Sequence, residues 1–358
     1  MPWNKNCVRL LLERIRAAGD RPMKLMEVCG SHTMAIAKSG IKSLLPENIS
    51  LLSGPGCPVC VTPAEQIDAV LDLAMEPGVV TASYGDMMRV PGSIPGDSLQ
   101  RRRALGAKVE VVYSAMDALE LAAGRPEAEV VFLAVGFETT APGTAAAVLE
   151  AGERNIRNFS VYSMLKSVEP ALRSLMAQED FNVQGFICPG HVASIIGEQG
   201  FRFIPEEYGL PGVIAGFEAE EILLALCRLT EQLSRGEAEL ENCYKRAVRP
   251  EGNPIARAVL DSCFQLCRDS WRGLGEIDKS GFKLREEFAA FDAEKKFRRE
   301  IKTAGESGAC RCGDVICGRI RPEDCPLFDR RCTPEEPVGP CMVSSEGACA
   351  AAYKYRGI

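Results

Sequence analysis

Lys24-Leu25-Met26-Glu27-Val28-Cys29-Gly30-Ser31-His32 decides the fold: a run of strand length breaks at Cys29-Gly30, and helical character begins near His32. The same grammar recurs outward from it. The apolar run 49–53 ends in Gly54-Pro55-Gly56-Cys57-Pro58-Val59-Cys60, and 79–83 ends in Tyr84-Gly85-Asp86. Likewise 129–135 ends in Gly136-Phe137-Glu138-Thr139-Thr140, and 185–187 in Cys188-Pro189-Gly190-His191. Further strands are expected at 109–113, 159–162 and 212–215. Helices fill the gaps, for instance 63–76, which places Ile67, Val70, Leu71 and Ala74 on one face. Such alternation is the mark of a parallel-sheet α/β architecture. Eight strands are many for one small domain, and Gly124-Arg125-Pro126 is a natural break. Val135-Gly136-Phe137-Glu138 is also echoed by Ala215-Gly216-Phe217-Glu218. The expected organisation is therefore two Rossmann-like parallel-sheet α/β units, 1–124 and 125–240, followed by a helical, cysteine-rich iron-sulfur domain, 241–358. In open α/β sheets ligands bind beyond the carboxyl ends of the strands, so the motifs after the strands are expected to converge on one cleft.

The tail carries the densest chemistry. Cys310, Cys312, Cys317, Cys325, Cys332, Cys341 and Cys349 fall within 40 residues and are seven of the chain's 16 cysteines. Soft thiolates gathered so closely read as metal ligands rather than a disulfide framework. Paired Cys-x2-Cys knuckles are missing from the tail, and the longer intervals suit a cuboidal iron-sulfur cluster, which takes four cysteines. Cys325 and Cys341 have neighbouring prolines, and small residues flank Cys332 and Cys349. These four are the expected [4Fe-4S] ligands. A structural zinc held by Cys310, Cys312, Cys317 and one later cysteine is the competing arrangement.

Composition bounds the rest. The chain has 358 residues, 46% hydrophobic and 25% charged, and can bury a sizeable core. A net charge of −7 argues against a nucleic-acid surface, and Arg101-Arg102-Arg103 reads as a solvated helix face. No run reaches the roughly 18 apolar residues of a membrane helix and the first residues show no signal peptide, so a cytoplasmic protein is expected.

Within the α/β region, Cys29 stands where a strand turns into a helix, so its thiol is expected to have a depressed pKa and to act as nucleophile or metal ligand. His32, one of two histidines, is close enough to hydrogen-bond that sulfur or pass it a proton. Cys57-Pro58-Val59-Cys60 has the spacing of a thiol-disulfide redox centre. His191 is a second acid/base or cleft-donor candidate. The loop containing Glu138 precedes a helix opened by Pro142 and offers amides to an anion, but neither a Walker motif nor a Gly-x-Gly-x-x-Gly follows a strand. Helices are expected at 219–234, 250–268 and 284–302, with Cys263 and Cys267 packed one helical turn apart.

Five motifs, in order, resemble the HypD family of hydrogenase maturation proteins: Cys29-Gly30-Ser31-His32-Thr33, the segment from Gly54 to Cys60, the segment from Gly136 to Pro142, Pro189-Gly190-His191-Val192, and the tail from Cys341 to Cys349. The resemblance implies a scaffold with redox activity on which the Fe(CN)2CO unit of [NiFe]-hydrogenase is built. It implies a complex with a HypC-type chaperone and cyanide from a HypE-type donor. Cys29 would then ligate the iron with a partner's cysteine and His32 would assist, while Cys57 and Cys60 would be redox thiols near a [4Fe-4S] cluster, in an arrangement similar to ferredoxin-thioredoxin reductase. A stand-alone protein disulfide reductase and a zinc-stabilised interaction protein are the alternatives from other classes.

Overall fold

The computed structural model describes residues 5–19, 21–297 and 309–356. All eight expected strands form, with bounds that move by a few residues: β1 (Met23–Glu27), β2 (Ile49–Ser53), β3 (Val79–Ser83), β4 (Lys108–Val111), β5 (Glu129–Gly136), β6 (Phe159–Leu165), β7 (Gly185–Pro189) and β8 (Gly212–Ala215). A short β9 (Leu240–Asn242) and a hairpin, β10 (Phe264–Trp271) and β11 (Gly275–Leu284), complete the set. The strands form two parallel sheets, ordered β2-β1-β7-β8-β9 and β4-β3-β5-β6.

Strand pairing crosses the break expected at 124–126. That segment lies between β4 and β5, inside the second sheet, while β7 returns from the far side of the chain to pair with β1. Parallel strands need crossovers, and a crossover can carry a whole second sheet as readily as one helix. The inner faces of both sheets then share a single core: Met26, Phe186 and Ile214 from the first sheet pack with Val79, Val109, Val131 and Leu133 from the second, and with tail residues including Val315 and Met342. The opposite faces are covered separately. Leu25, Leu51 and Val213 pack under the Ala219–Arg235 helix, and Val80, Val130 and Phe132 under helices bearing Leu119 and Val148.

The expected helix 250–268 ends at Cys263, where β10 begins, so Cys263 and Cys267 lie on different elements. Phe264 and Trp271 turn inward at the strand's two ends, and Gly273 and Gly275, both at positive φ, make the turn to β11. Likewise 284–302 is not one helix: β11 runs to Leu284, followed by a 3-10 turn (Glu286–Phe291) and a short helix (Ala293–Phe297). Positions 298–302 of that expectation lie outside the described residues.

The hairpin is pinned by a buried charge. Lys166, fully buried just after β6, donates to Asp269 Oδ2 (2.5 Å) and Gln66 Oε1 (3.3 Å), and Gln66 Nε2 donates to Asp269 Oδ1 (2.7 Å). An ammonium left without its counter-ion in such a place is costly. Asp269→Ala is expected to lower stability by about 3–5 kcal/mol, read from the urea midpoint, whereas Lys166→Met in the same background should recover much of the loss. The pinned hairpin carries its turn into the site. Arg272 N–H donates to the carbonyl of Val61 (2.8 Å), and a Cβ on Gly273 would stand 2.6 Å from Gly313 Cα in the tail. Among the described residues no helix is long and apolar enough to cross a membrane.

Candidate functional site

The segments following β1, β2, β3, β5 and β7 meet at one cavity of about 340 Å³, so the expected convergence beyond the strand ends is present and draws on both sheets. Cys29, Pro58, Asp86, Thr140 and His191 face it from those segments. Ser344 and Glu346 of the tail supply a further wall that no strand pattern announces.

Cys29 caps the Gly30–Ser39 helix in extended conformation. Its backbone is held closely: Cys29 N–H donates to Glu27 Oε2 (3.1 Å), Thr33 Oγ1 donates to Glu27 Oε1 (2.5 Å), and Gly30 N–H donates to the Gly56 carbonyl (2.8 Å). Any side chain at Gly56 would run into the Cys29 backbone. The depressed thiol pKa expected from the helix end is corrected here. Burial pushes the Cys29 thiol up to about 12, the nearby carboxylates of Glu346 and Glu27 push in the same direction, and the His32 and Ser31 amides oppose them without prevailing. Cys29 is therefore a protonated thiol at neutral pH, and a metal bound there must displace the proton.

His32 is fully buried, and its Nε2 pairs with the Gly216 carbonyl (2.9 Å) rather than with sulfur. Burial pushes the ring down to about 4, so the imidazole is neutral and serves to tie the Cys29 helix to the loop after β8. Phe217 of that loop stacks on His32 (4.6 Å between centroids) and on His191 (3.9 Å). His191 is exposed, and desolvation lowers its pKa against the pull of Glu346. Glu138 turns away from the cavity: its Oε1 accepts from Ser167 Oγ (2.8 Å) and Val168 N–H (2.9 Å), bracing the loop after β6. Its neighbours Gly136, Phe137, Thr139 and Thr140 line the cavity instead.

Cys57 and Cys60 are joined as a disulfide on the short Pro58–Val61 helix, where Cys60 N–H also donates to Cys57 Sγ (3.2 Å). Pro58 and Val59 face the cleft, while the helix packs on its other side against the Cys312–Ile316 and Pro340–Val343 helices of the tail.

In the tail, Cys325, Cys332, Cys341 and Cys349 line one pocket, as the sequence grouping requires. Cys310 and Cys312 line it too, which spacing alone did not reveal, and a Cβ on Gly339 would stand 2.6 Å from Cys310 Sγ. Two groups of thiols meet there. Cys310, Cys312, Cys341 and Cys349 lie close enough, each to the next, to perturb one another's titration, and Cys332 lies near Cys325 and Cys349. Cys317, the third member of the competing zinc set, is not among them and donates to the Gly273 carbonyl (3.4 Å). The donor set has the chemistry an iron-sulfur cluster takes, with cysteine thiols around one pocket, apolar walls from Leu327, Phe328 and Met342, and the Val338 N–H on Cys332 Sγ (3.3 Å), although among the described residues no three side chains are drawn together closely enough to hold a single metal ion. Buried Arg272, whose Nε donates to the Thr62 carbonyl (3.2 Å), adds positive charge near Cys310 and Cys312.

Comparison with known proteins agrees along the whole chain. The family described as "HypD: Hydrogenase formation hypA family" matches residues 6–356. Hydrogenase maturation factor HypD of Azotobacter vinelandii is 46% identical over 356 residues, covering 97% of this chain and 93% of that protein. Its counterpart in Cupriavidus necator is 45% identical over 350 residues (96% and 92%), and that in Escherichia coli K12 44% identical over 338 residues (94% and 90%). With the family model matched over residues 6–356 and relatives at this identity covered almost in full, the chain belongs to the HypD family of hydrogenase maturation factors.

Proposed function

We propose that the cleft is a bench on which the iron unit of a [NiFe]-hydrogenase, Fe(CN)2CO, is put together, and that the tail pocket holds a [4Fe-4S] cluster serving the Cys57–Cys60 pair. One observation carries this reading: the short helix that bears the disulfide lines the cavity that holds Cys29 through Pro58 and Val59 and packs against the helices that bear tail cysteines. A cluster in the tail would supply electrons one at a time. Cys325, Cys332 and Cys349 would hold it, with the fourth position going to Cys341, favoured by the sequence, or to Cys310 or Cys312, which share the pocket.

The chain's own groups have defined tasks. Opening the Cys57–Cys60 disulfide takes two electrons and two protons and leaves two thiols beside the cavity. Cys29 offers its sulfur to the iron substrate, shared with a cysteine of a HypC-type chaperone, after giving up the proton that burial and Glu346 hold on it. A HypE-type donor brings the cyanide. Ser31, Thr140 and His191 furnish polar groups at the wall that can orient the diatomic ligands, and His191, exposed and neutral, can take or return a proton.

The test is anaerobic purification of the chain with its partners, followed by metal analysis and infrared spectroscopy. The expected product is brown, with about four iron and four sulfide per chain in the tail and absorption from iron-bound cyanide and carbon monoxide. A colourless chain holding one zinc would overturn the cluster and restore a structural role for the tail.

A further inference from the structure

The seven residues between Cys341 and Cys349 leave the tail pocket, form part of the cleft and return. Met342 lines the pocket, while Ser344 and Glu346 line the cavity around Cys29. The polar contacts run in sequence. Ser344, almost fully buried, donates to Asp86 Oδ2 (3.2 Å), Glu346 N–H donates to Ser344 Oγ (3.3 Å), and Ser31 Oγ donates to Glu346 Oε1 (2.6 Å) on the first turn of the helix that Cys29 caps. The fit leaves no slack: a Cβ on Gly30 would stand 2.5 Å from Glu346 Cβ.

The middle of this strap, Ser344-Ser345-Glu346-Gly347, carries no apolar side chain. A handful of hydrogen bonds between polar groups at a cavity wall contributes less than the entropy of ordering four residues takes away. Order must come from the ends, where Cys341 and Cys349 line the tail pocket and Met342 and Ala348 beside them pack in the core around it.

We propose that the cleft is closed around Cys29 only when the tail is loaded with metal. The inference rests on the tail-cluster reading above. With Cys349 and its partners fixed by iron, the strap holds Glu346 against Ser31 and walls in the Cys29 thiol. With the pocket stripped, the ends are released, the strap lifts, and Cys29 opens to solvent. The iron-binding thiol is thereby built into a complete site only in molecules able to deliver electrons to Cys57–Cys60.

The experiment compares the full chain, purified anaerobically with iron, with the same preparation stripped by a chelator and an oxidant, iron being assayed in both. Two probes report on the strap: alkylation of Cys29 by iodoacetamide, followed by peptide mass spectrometry, and cleavage after Glu346 by a glutamyl endopeptidase. Stripping is expected to raise both rates tenfold or more. Ser344→Ala in the iron-loaded chain should raise them severalfold with iron content retained, an arm that does not depend on stripping and is unaffected if stripping disturbs the fold. Equal rates in loaded and stripped chains of verified iron content, with Ser344→Ala silent, would overturn the coupling and leave the cluster in place. A chain that never contains iron would remove the cluster reading, and the coupling with it.

Discussion

Cys29→Ala is expected to erase the infrared bands of iron-bound cyanide and carbon monoxide from the complex purified with its partners while leaving the tail's iron and sulfide untouched. The two effects separate because Cys29 and the tail thiols line different cavities, with the Pro58–Val61 helix between them. Removing one small buried thiol creates little void, so the fold should survive and the loss can be assigned to the missing ligand. The variant also distinguishes an assembly bench from a protein disulfide reductase, which could work through Cys57 and Cys60 alone and would retain its thiol chemistry in Cys29→Ala. Persistence of the diatomic bands in this variant would sink the assignment of Cys29 as the iron's ligand.

The second large effect is expected in the tail. Alanine at Cys325, Cys332 or Cys349 should leave the chain colourless, with well under one iron per molecule. The same variants should be unable to open Cys57–Cys60 when a photoreduced one-electron dye is the only reductant, as judged by thiol alkylation and mass, because two electrons must be gathered before the disulfide yields. Cys310→Ala, Cys312→Ala and Cys341→Ala identify the fourth ligand, since only the true ligand bleaches when lost. If the disulfide opened at an unchanged rate in a colourless variant, the link between the tail and the cleft would fail.

Much of this was legible in the residues. Apolar runs broken by Gly, Pro and Cys gave every strand of the two sheets but the short β9, and because parallel sheets bind at strand ends they also located the cleft. The interleaving of the sheets was not legible, since it depends on β1 pairing with β7, and no local pattern records a partner about 160 residues away. The hairpin was missed because Gln265, Leu266 and Cys267 fit a continuing helix, and only the glycine-bearing turn after Trp271 argues otherwise. Cys29 illustrates the limit of a local rule: a helix start lowers a thiol pKa, but burial and Glu346, brought in from the other end of the chain, decide the sign. The tail's grouping was half visible. Spacing marked the tail cysteines as a group, yet loops alone determine which thiols face one another.

The order in which the sheets are threaded has a consequence for how the chain comes into being. On a ribosome β1 and β2 emerge early, but the strand that completes their sheet, β7, is some 160 residues behind, a delay on the order of ten seconds at ordinary elongation rates. During that interval the second sheet can assemble as an inserted unit, while Cys29, Cys57 and Cys60 ride on a pair of strands with no finished sheet to shelter them. A nascent chain thus passes through a stage in which the cysteines of its cleft are made, unburied and without the tail, and the long-range closure of β1 on β7 marks the end of that vulnerable period.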